Sequence, residues 1–134
     1  MSGAGRYDPG GEIRTLLAQH EEKHWWFRAR RRIVLRLLQR ANPEKKSLRI
    51  LDAGCSTGAS LRCLMHQGWA VGVDVDLDTL RLCAGRGFRD LACSDVLRLP
   101  FKSDQFHLVT ALDLIEHLED DQGALRELYR VLMP

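Results

Sequence analysis

Three aspartates, Asp52, Asp74 and Asp95, carry most of the chemistry legible in this chain, because each closes a short apolar run. The first lies in LRILDAGCSTG, residues 48–58, where Leu48, Ile50 and Leu51 make the apolar run expected of a parallel strand covered on both faces. Gly54 and Gly58 allow a tight backbone turn, and Leu61, Leu64 and Met65 then open a helix. Strand, glycine turn and helix in that order present a site for a nucleotide-type ligand. A G-x-G-x-x-G fingerprint would cradle a pyrophosphate, but three residues separate the glycines here, and the Asp52 carboxylate would repel a diphosphate. No Gly-Lys-Ser or Gly-Lys-Thr follows the turn, which excludes a P-loop. The carboxylate favours a ligand with a positive group, such as the ammonium of S-adenosylmethionine.

AVGVDVD, residues 70–76, reads as a second strand and places Asp74 22 positions after Asp52. That is close to the offset at which a βαβ unit presents an acid to a ribose, and Asp74 suits its two hydroxyls. LACSDVLRLPF, residues 91–101, reads as a third strand ending near Cys93, with Ser94, Asp95 and Val96 in the following loop. There Asp95 is the candidate acceptor for an adenine amino group and Val96 an apolar neighbour for the ring. Asp95 alone would read as a turn former or helix cap, so the ordered series of three acids carries the argument.

Two other segments hold candidate groups. In HWWFRARRRI, residues 24–33, Arg30 and Arg31 fall three or four positions after Phe27 and before Val34, which turns them towards the apolar stripe of a helix. An arginine in that position wants a carboxylate. In DLIEH, residues 113–117, a helix would put Asp113, Glu116 and His117 on one face beside the fourth strand, read at Phe106 to Ala111. His117 is the candidate general base there, since imidazole titrates nearest neutrality. Helix capping is the competing reading for the same three residues.

LDAGCSTG, VGVDVD, SDVLRLPF, FHLVTALDLIEHLEDD and ALRELYRVLMP, in this order, resemble the class I S-adenosylmethionine-dependent methyltransferases, in particular the small-molecule group labelled type 11. The resemblance covers about residues 48–134. It implies that Asp52, Gly54, Cys55, Ser56 and Gly58 surround the methionine part of the cofactor, and that Asp74 and Val75 hold ribose and adenine. It further implies that Asp95 and Val96 cover the adenine and that Leu112 lies beside the cofactor. Arg30 or Arg31 would meet the cofactor's carboxylate, with Trp25 and Trp26 walling the substrate side or plugging the core. Ser56 stands where the family usually has glycine; a positive φ there would cost on the order of 1 kcal/mol. Asp113 before Glu-His also resembles the magnesium triad of some ubiquinone-pathway and small-RNA ribose methyltransferases.

The expected architecture is therefore an α/β, Rossmann-like three-layer sandwich of parallel strands ordered 3-2-1-4. Residues 1–45 would form a helical cap with a frayed start, and 46–134 a methyltransferase core cut off before a fifth strand. Its open strand 4 edge, with the helix face Leu125, Leu128, Tyr129 and Leu132, would invite a second copy or a partner chain. The 134 residues contain no apolar run near the length of roughly 20 that spans a bilayer, so no membrane role is expected. Four cysteines without a C-x-x-C pair suit reduced thiols and a cytoplasmic setting better than a metal site or disulfides. Residues 1–50 hold 12 Lys and Arg against 5 Asp and Glu. A nucleic-acid surface is disfavoured there, because Ile33, Val34, Leu37 and Leu38 form an apolar helix face and the arginines can point to water. These features point to methyl transfer to a small-molecule acceptor; a truncated, non-catalytic binding module is the alternative.

Overall fold

The computed structural model describes Leu16, Gln19, His20 and residues 23–134; most of the expected cap segment before residue 23, including the expected frayed start, lies outside these residues. Four parallel strands, β1 (Leu48–Ala53), β2 (Gly68–Asp74), β3 (Leu91–Cys93) and β4 (Leu108–Thr110), order as β3-β2-β1-β4. The helices are α1 (Trp25–Ala41), α2 (Ala59–Leu64), α3 (Leu77–Gly85) and α4 (Asp121–Val131), with 3-10 turns at Met65–Gln67 and Ile115–His117. Among the described residues, no helix is long and apolar enough to cross a membrane.

Side-chain alternation along the strands divides the core into two layers. Ile50 and Ala70 face one side with Val34 and Leu38 of α1, Leu61 and Leu64 of α2, and Cys83 and Phe88. Leu51, Ala53, Val71 and Val73 face the other with Phe106, Leu99 and the Ala124, Leu128 and Val131 stripe of α4. Asp52 follows Ile50 by two positions and so projects to the α1 and α2 side of the sheet. Side chains define the helix starts: His24 accepts from the Trp26 amide of α1, Asp76 from the amides of Asp78 and Thr79 of α3, and Asp120 from Gly123 of α4.

Four expectations change. β2 runs over residues 68–74 rather than 70–76, because Asp76 leaves the strand to cap α3. Met65 lies in the 3-10 turn after α2 and is exposed, so the buried face of α2 is Leu61, Cys63 and Leu64. The packed face of α4 is Ala124, Leu128 and Val131, while Leu125 and Tyr129 point outward and Leu132 is past the helix end. Finally, the β4 edge is covered where it begins: Leu132 forms a parallel bridge with Phe106, and the Met133 amide donates to the Phe106 carbonyl at 2.8 Å. These bonds satisfy backbone groups that the sequence leaves open.

Gly58 caps α2 at φ 92°, and a Cβ there would stand 2.5 Å from Phe88 Cε2 and 2.9 Å from Cys83 Sγ. Left-handed backbone and a full pocket act together, so Gly58→Ala is expected to destabilise the fold by about 2–4 kcal/mol in denaturant titration.

Candidate functional site

The C-terminal ends of β1 and β4, the loop after β1, and α1 enclose a cavity of about 170 Å³. Asp52, Gly54, Cys55 and Ser56 line it from the loop side, Ala59 and Ser60 from the first turn of α2, Phe27 and Arg30 from α1, and Leu112 and Asp113 from the segment after β4. Asp52 is 1% exposed. Its Oδ1 accepts a 2.7 Å hydrogen bond from Thr110 Oγ1, and Oδ2 is buried with no hydrogen-bond partner. Burial pushes its pKa up from 3.8 to about 6, against the Thr110 hydrogen bond and the Arg30 charge, which lower it; the Asp74 charge adds to the rise.

Arg30 is held facing that acid. Its guanidinium pairs with Asp113 and donates from Nη2 to Ser60 Oγ at 3.2 Å, while its charge lies 5.2 Å from the centre of the Phe27 ring. The cavity thus presents one carboxylate with an unpartnered oxygen, Asp52, and opposite it the Arg30 guanidinium, which Asp113 already pairs; an α-amino acid group would set its ammonium on the first and share the second through its carboxylate. The donor set fits the methionine end of S-adenosylmethionine, and the orphaned Oδ2 of Asp52 is the observation that shows it.

The loop geometry explains the residue types. Gly54 has φ 70°, with Leu114 packed where a Cβ would point. Ser56 has φ 50°, so the left-handed conformation that glycine would supply is present and serine adopts it. The Ser56 amide donates to Asp74 Oδ2 at 3.0 Å, and the Asp76 amide to Asp74 Oδ1 at 3.0 Å. Asp74 therefore ties the β1 loop to the end of β2, with each of its oxygens accepting one backbone amide. The Cys55 thiol turns inward, where a hydrogen bond with Cys83 and then burial push its pKa far up.

Of the expected site residues, Arg30, Asp52, Gly54, Cys55, Ser56 and Leu112 meet in this cavity, and Gly58, Asp74, Val75, Asp95, Val96 and His117 are outside its lining. Gly58 is there for packing. Val96 is buried in the α4-side core, and Val75 is 72% exposed. Asp95 Oδ1 accepts from the Leu97 amide at 2.9 Å, the turn-forming role that competes with adenine recognition. The expected face of Asp113, Glu116 and His117 does not form: Asp113 has φ 53° and pairs with Arg30, and the 3-10 turn spans only residues 115–117. The His117 side chain is 73% exposed, with Nε2 4.0 Å from Glu116 Oε1. Among the described residues no group of three or more His, Cys, Asp or Glu could hold a metal ion. Trp25 and Trp26 are 70% and 48% exposed, which overturns the core-plug reading; Phe27 is the aromatic of the cavity. Arg31 faces the neighbouring α1–α2 crevice, which leaves Arg30 as the arginine of the site. Ser60 and Thr110 were not legible as site residues, because a hydroxyl in a helix or strand has no sequence signature of its partner.

Residues 51–134 match the profile of the Methyltransferase domain family, and the chain belongs to that family. Demethylmenaquinone methyltransferase of Corynebacterium urealyticum is 33% identical over 121 residues, 90% of this chain and 48% of that protein. Norajmaline N-methyltransferase of Rauvolfia serpentina is 29% identical over 143 residues, 97% of this chain and 46% of that protein. The chain thus spans about half the length of the curated relatives it matches. Among solved structures, the PH0226 protein of Pyrococcus horikoshii OT3 superposes with a TM-score of 0.70 at 27% identity, over 84% of this chain and 56% of that one. A Methanococcus maripaludis protein assigned as an S-adenosyl-L-methionine-dependent methyltransferase shares the fold with a TM-score of 0.78 at 17% identity, over 99% and 63%.

Two outcomes follow from the site's energetics. The folded pKa of Asp52 lies above its unfolded value, so the unfolded chain ionises first as pH rises. The ligand-free protein should lose on the order of 3 kcal/mol of stability between pH 3.8 and about 6, and Asp52→Asn should abolish that loss in denaturant titrations across this range. Ser56→Gly relieves a left-handed serine at some cost in chain entropy and should raise stability by up to about 1 kcal/mol in the same assay.

Proposed function

We propose that this chain binds S-adenosylmethionine and supports methyl transfer to a small-molecule acceptor. The observation that carries the reading is the buried Asp52 carboxylate with one unpartnered oxygen, in a cavity whose opposite wall holds the Arg30 guanidinium. Asp52 receives the ligand's ammonium, Arg30 its carboxylate, and the Gly54 to Ser56 backbone lies against its chain. Asp74 offers its remaining lone pairs to the ribose hydroxyls, and Val75, Asp95 and Val96 border the adenine. Names of relatives agree with a small acceptor: one is a demethylmenaquinone and another a norajmaline methyltransferase. A cytoplasmic setting fits the four free cysteines.

When bound, the cofactor supplies a methyl group on a positively charged sulfur. The chain's residues then need mainly to align donor and acceptor and to exclude water. Phe27 and Leu112 provide the apolar walls for that. His117 serves as a base only for an acceptor that must lose a proton and that reaches the 115–117 turn. A non-catalytic interaction module is the second reading, favoured by the position of the candidate base His117 at the surface, outside the cavity lining.

Calorimetry distinguishes the readings. S-adenosylmethionine and its demethylated product should bind and NAD should not. Affinity should fall about tenfold per pH unit below about 6, as Asp52 protonates and loses its attraction for the ammonium. Asp52→Asn should remove that dependence and weaken binding at least tenfold, and Asp74→Ala should weaken it at least tenfold as well. Tight NAD binding, or pH-independent affinity for S-adenosylmethionine, would overturn the assignment.

A further inference from the structure

Three groups hold Arg30 at the cavity wall. Ser60 Oγ accepts from Nη2 at 3.2 Å, the guanidinium carbon stands 5.2 Å from the centre of the Phe27 ring, and Asp113 pairs with Nη1. Asp113 reaches that pair from a left-handed backbone at φ 53°, directly after Leu112, and both residues line the cavity. The Ser60 bond and the ring contact anchor the guanidinium from α2 and α1 without Asp113. What the third contact adds is a second carboxylate.

That carboxylate leaves the charges of the lining unequal. Asp52 and Asp113 set two acids against the single guanidinium of Arg30, an excess of one negative charge once Asp52 is ionised. Asp74 stands just outside and adds to it, with its Oδ2 on the Ser56 amide at 3.0 Å. Cys55, the remaining ionisable group of the lining, stays a neutral thiol because a hydrogen bond with Cys83 and burial push its pKa far up. An α-amino acid group is neutral overall and cannot offset the excess. S-adenosylmethionine also carries a sulfonium, which makes it a net cation, whereas its demethylated product has a neutral thioether there. The first ligand balances the lining and the second leaves one negative charge uncompensated. An asparagine at position 113 would invert this, with the product balanced and the sulfonium form in excess.

We propose that Asp113 is a specificity-determining residue that tilts the cavity toward the sulfonium ligand and away from its demethylated product. The inference rests on the cofactor reading above. Both ligands carry the same carboxylate, so releasing Arg30 from Asp113 strengthens both alike. Only the sulfonium distinguishes them, and it loses attraction when the charge of Asp113 is removed. The ratio of the two affinities therefore separates the charge of Asp113 from any rearrangement of its ion pair. Asp113 has a half-exposed side chain, so solvent screens the attraction and the effect is severalfold.

Calorimetry on the full chain at low ionic strength and about pH 8, where Asp52 is ionised, tests this with S-adenosylmethionine and its demethylated product as probes. The native chain is compared with Asp113→Asn and Asp113→Glu, both checked for folding by circular dichroism. Asparagine has the shape of aspartate and tolerates the same left-handed backbone. In Asp113→Asn the preference for S-adenosylmethionine over the product should fall at least threefold, and the product should bind more tightly than it does to the native chain. Asp113→Glu keeps the charge and should hold the native preference within about twofold. An unchanged preference in Asp113→Asn, or an equal fall in both variants, would overturn the role of Asp113 and leave the cofactor reading standing. Failure of the native chain to bind either ligand would sink the cofactor reading and this inference with it.

Discussion

A carboxylate buried at the end of β1 with only half of its hydrogen-bonding capacity used is the constraint around which this molecule is arranged. Asp52 sits in the middle of the sheet, flanked by β2 and β4, where water cannot solvate its charge. Such a group is costly unless something positive meets it. Thr110 from β4 supplies one neutral hydrogen bond, and Arg30 supplies charge from α1. Neither satisfies Oδ2, so part of the cost remains in the ligand-free state. Binding sites commonly retain such a cost where a ligand can offset it.

The surrounding backbone is folded tightly around that acid. Ser56 and Asp113 both hold left-handed conformations, one on each side of the cavity. The first turns the loop so that its amide reaches Asp74, and the second brings a carboxylate back to Arg30. Asp tolerates that conformation better than most residues, because its short side chain bonds locally, while Ser has no such advantage. Sheet geometry then does the rest: parallel strands end on the same side, so the acids after β1, β2 and β3 fall along one edge.

Strand order, the glycine loop and the place of Asp52 at the end of β1 were legible in the sequence because each depends on local pattern: apolar runs, turn residues, and an acid at a strand end. Arg30 was legible as one of two arginines, since helical spacing gives a face but not a neighbour. What failed were features decided by tertiary contact. The packed stripe of α4 is Ala124, Leu128 and Val131, although Leu125 and Tyr129 read as equally apolar, because the helix is rotated by its contacts with Phe106 and Leu99. The DLIEH face did not form because the Arg30 pairing captures Asp113 in a left-handed turn. The Thr110 bond to Asp52 joins residues 58 positions apart, which no local spacing reveals.

The central claim is electrostatic, and the ionisation of Asp52 itself tests it most directly. Carbon-13 NMR of the side-chain carboxyl, assigned with Asp52→Asn, follows that ionisation in the free protein and in the presence of S-adenosylmethionine. The account predicts a midpoint near pH 6 in the free protein and a shift well below it when the ligand is bound, because the ammonium stabilises the charged form. A midpoint near the ordinary aspartate value of about 3.9, unmoved by the ligand, would contradict it.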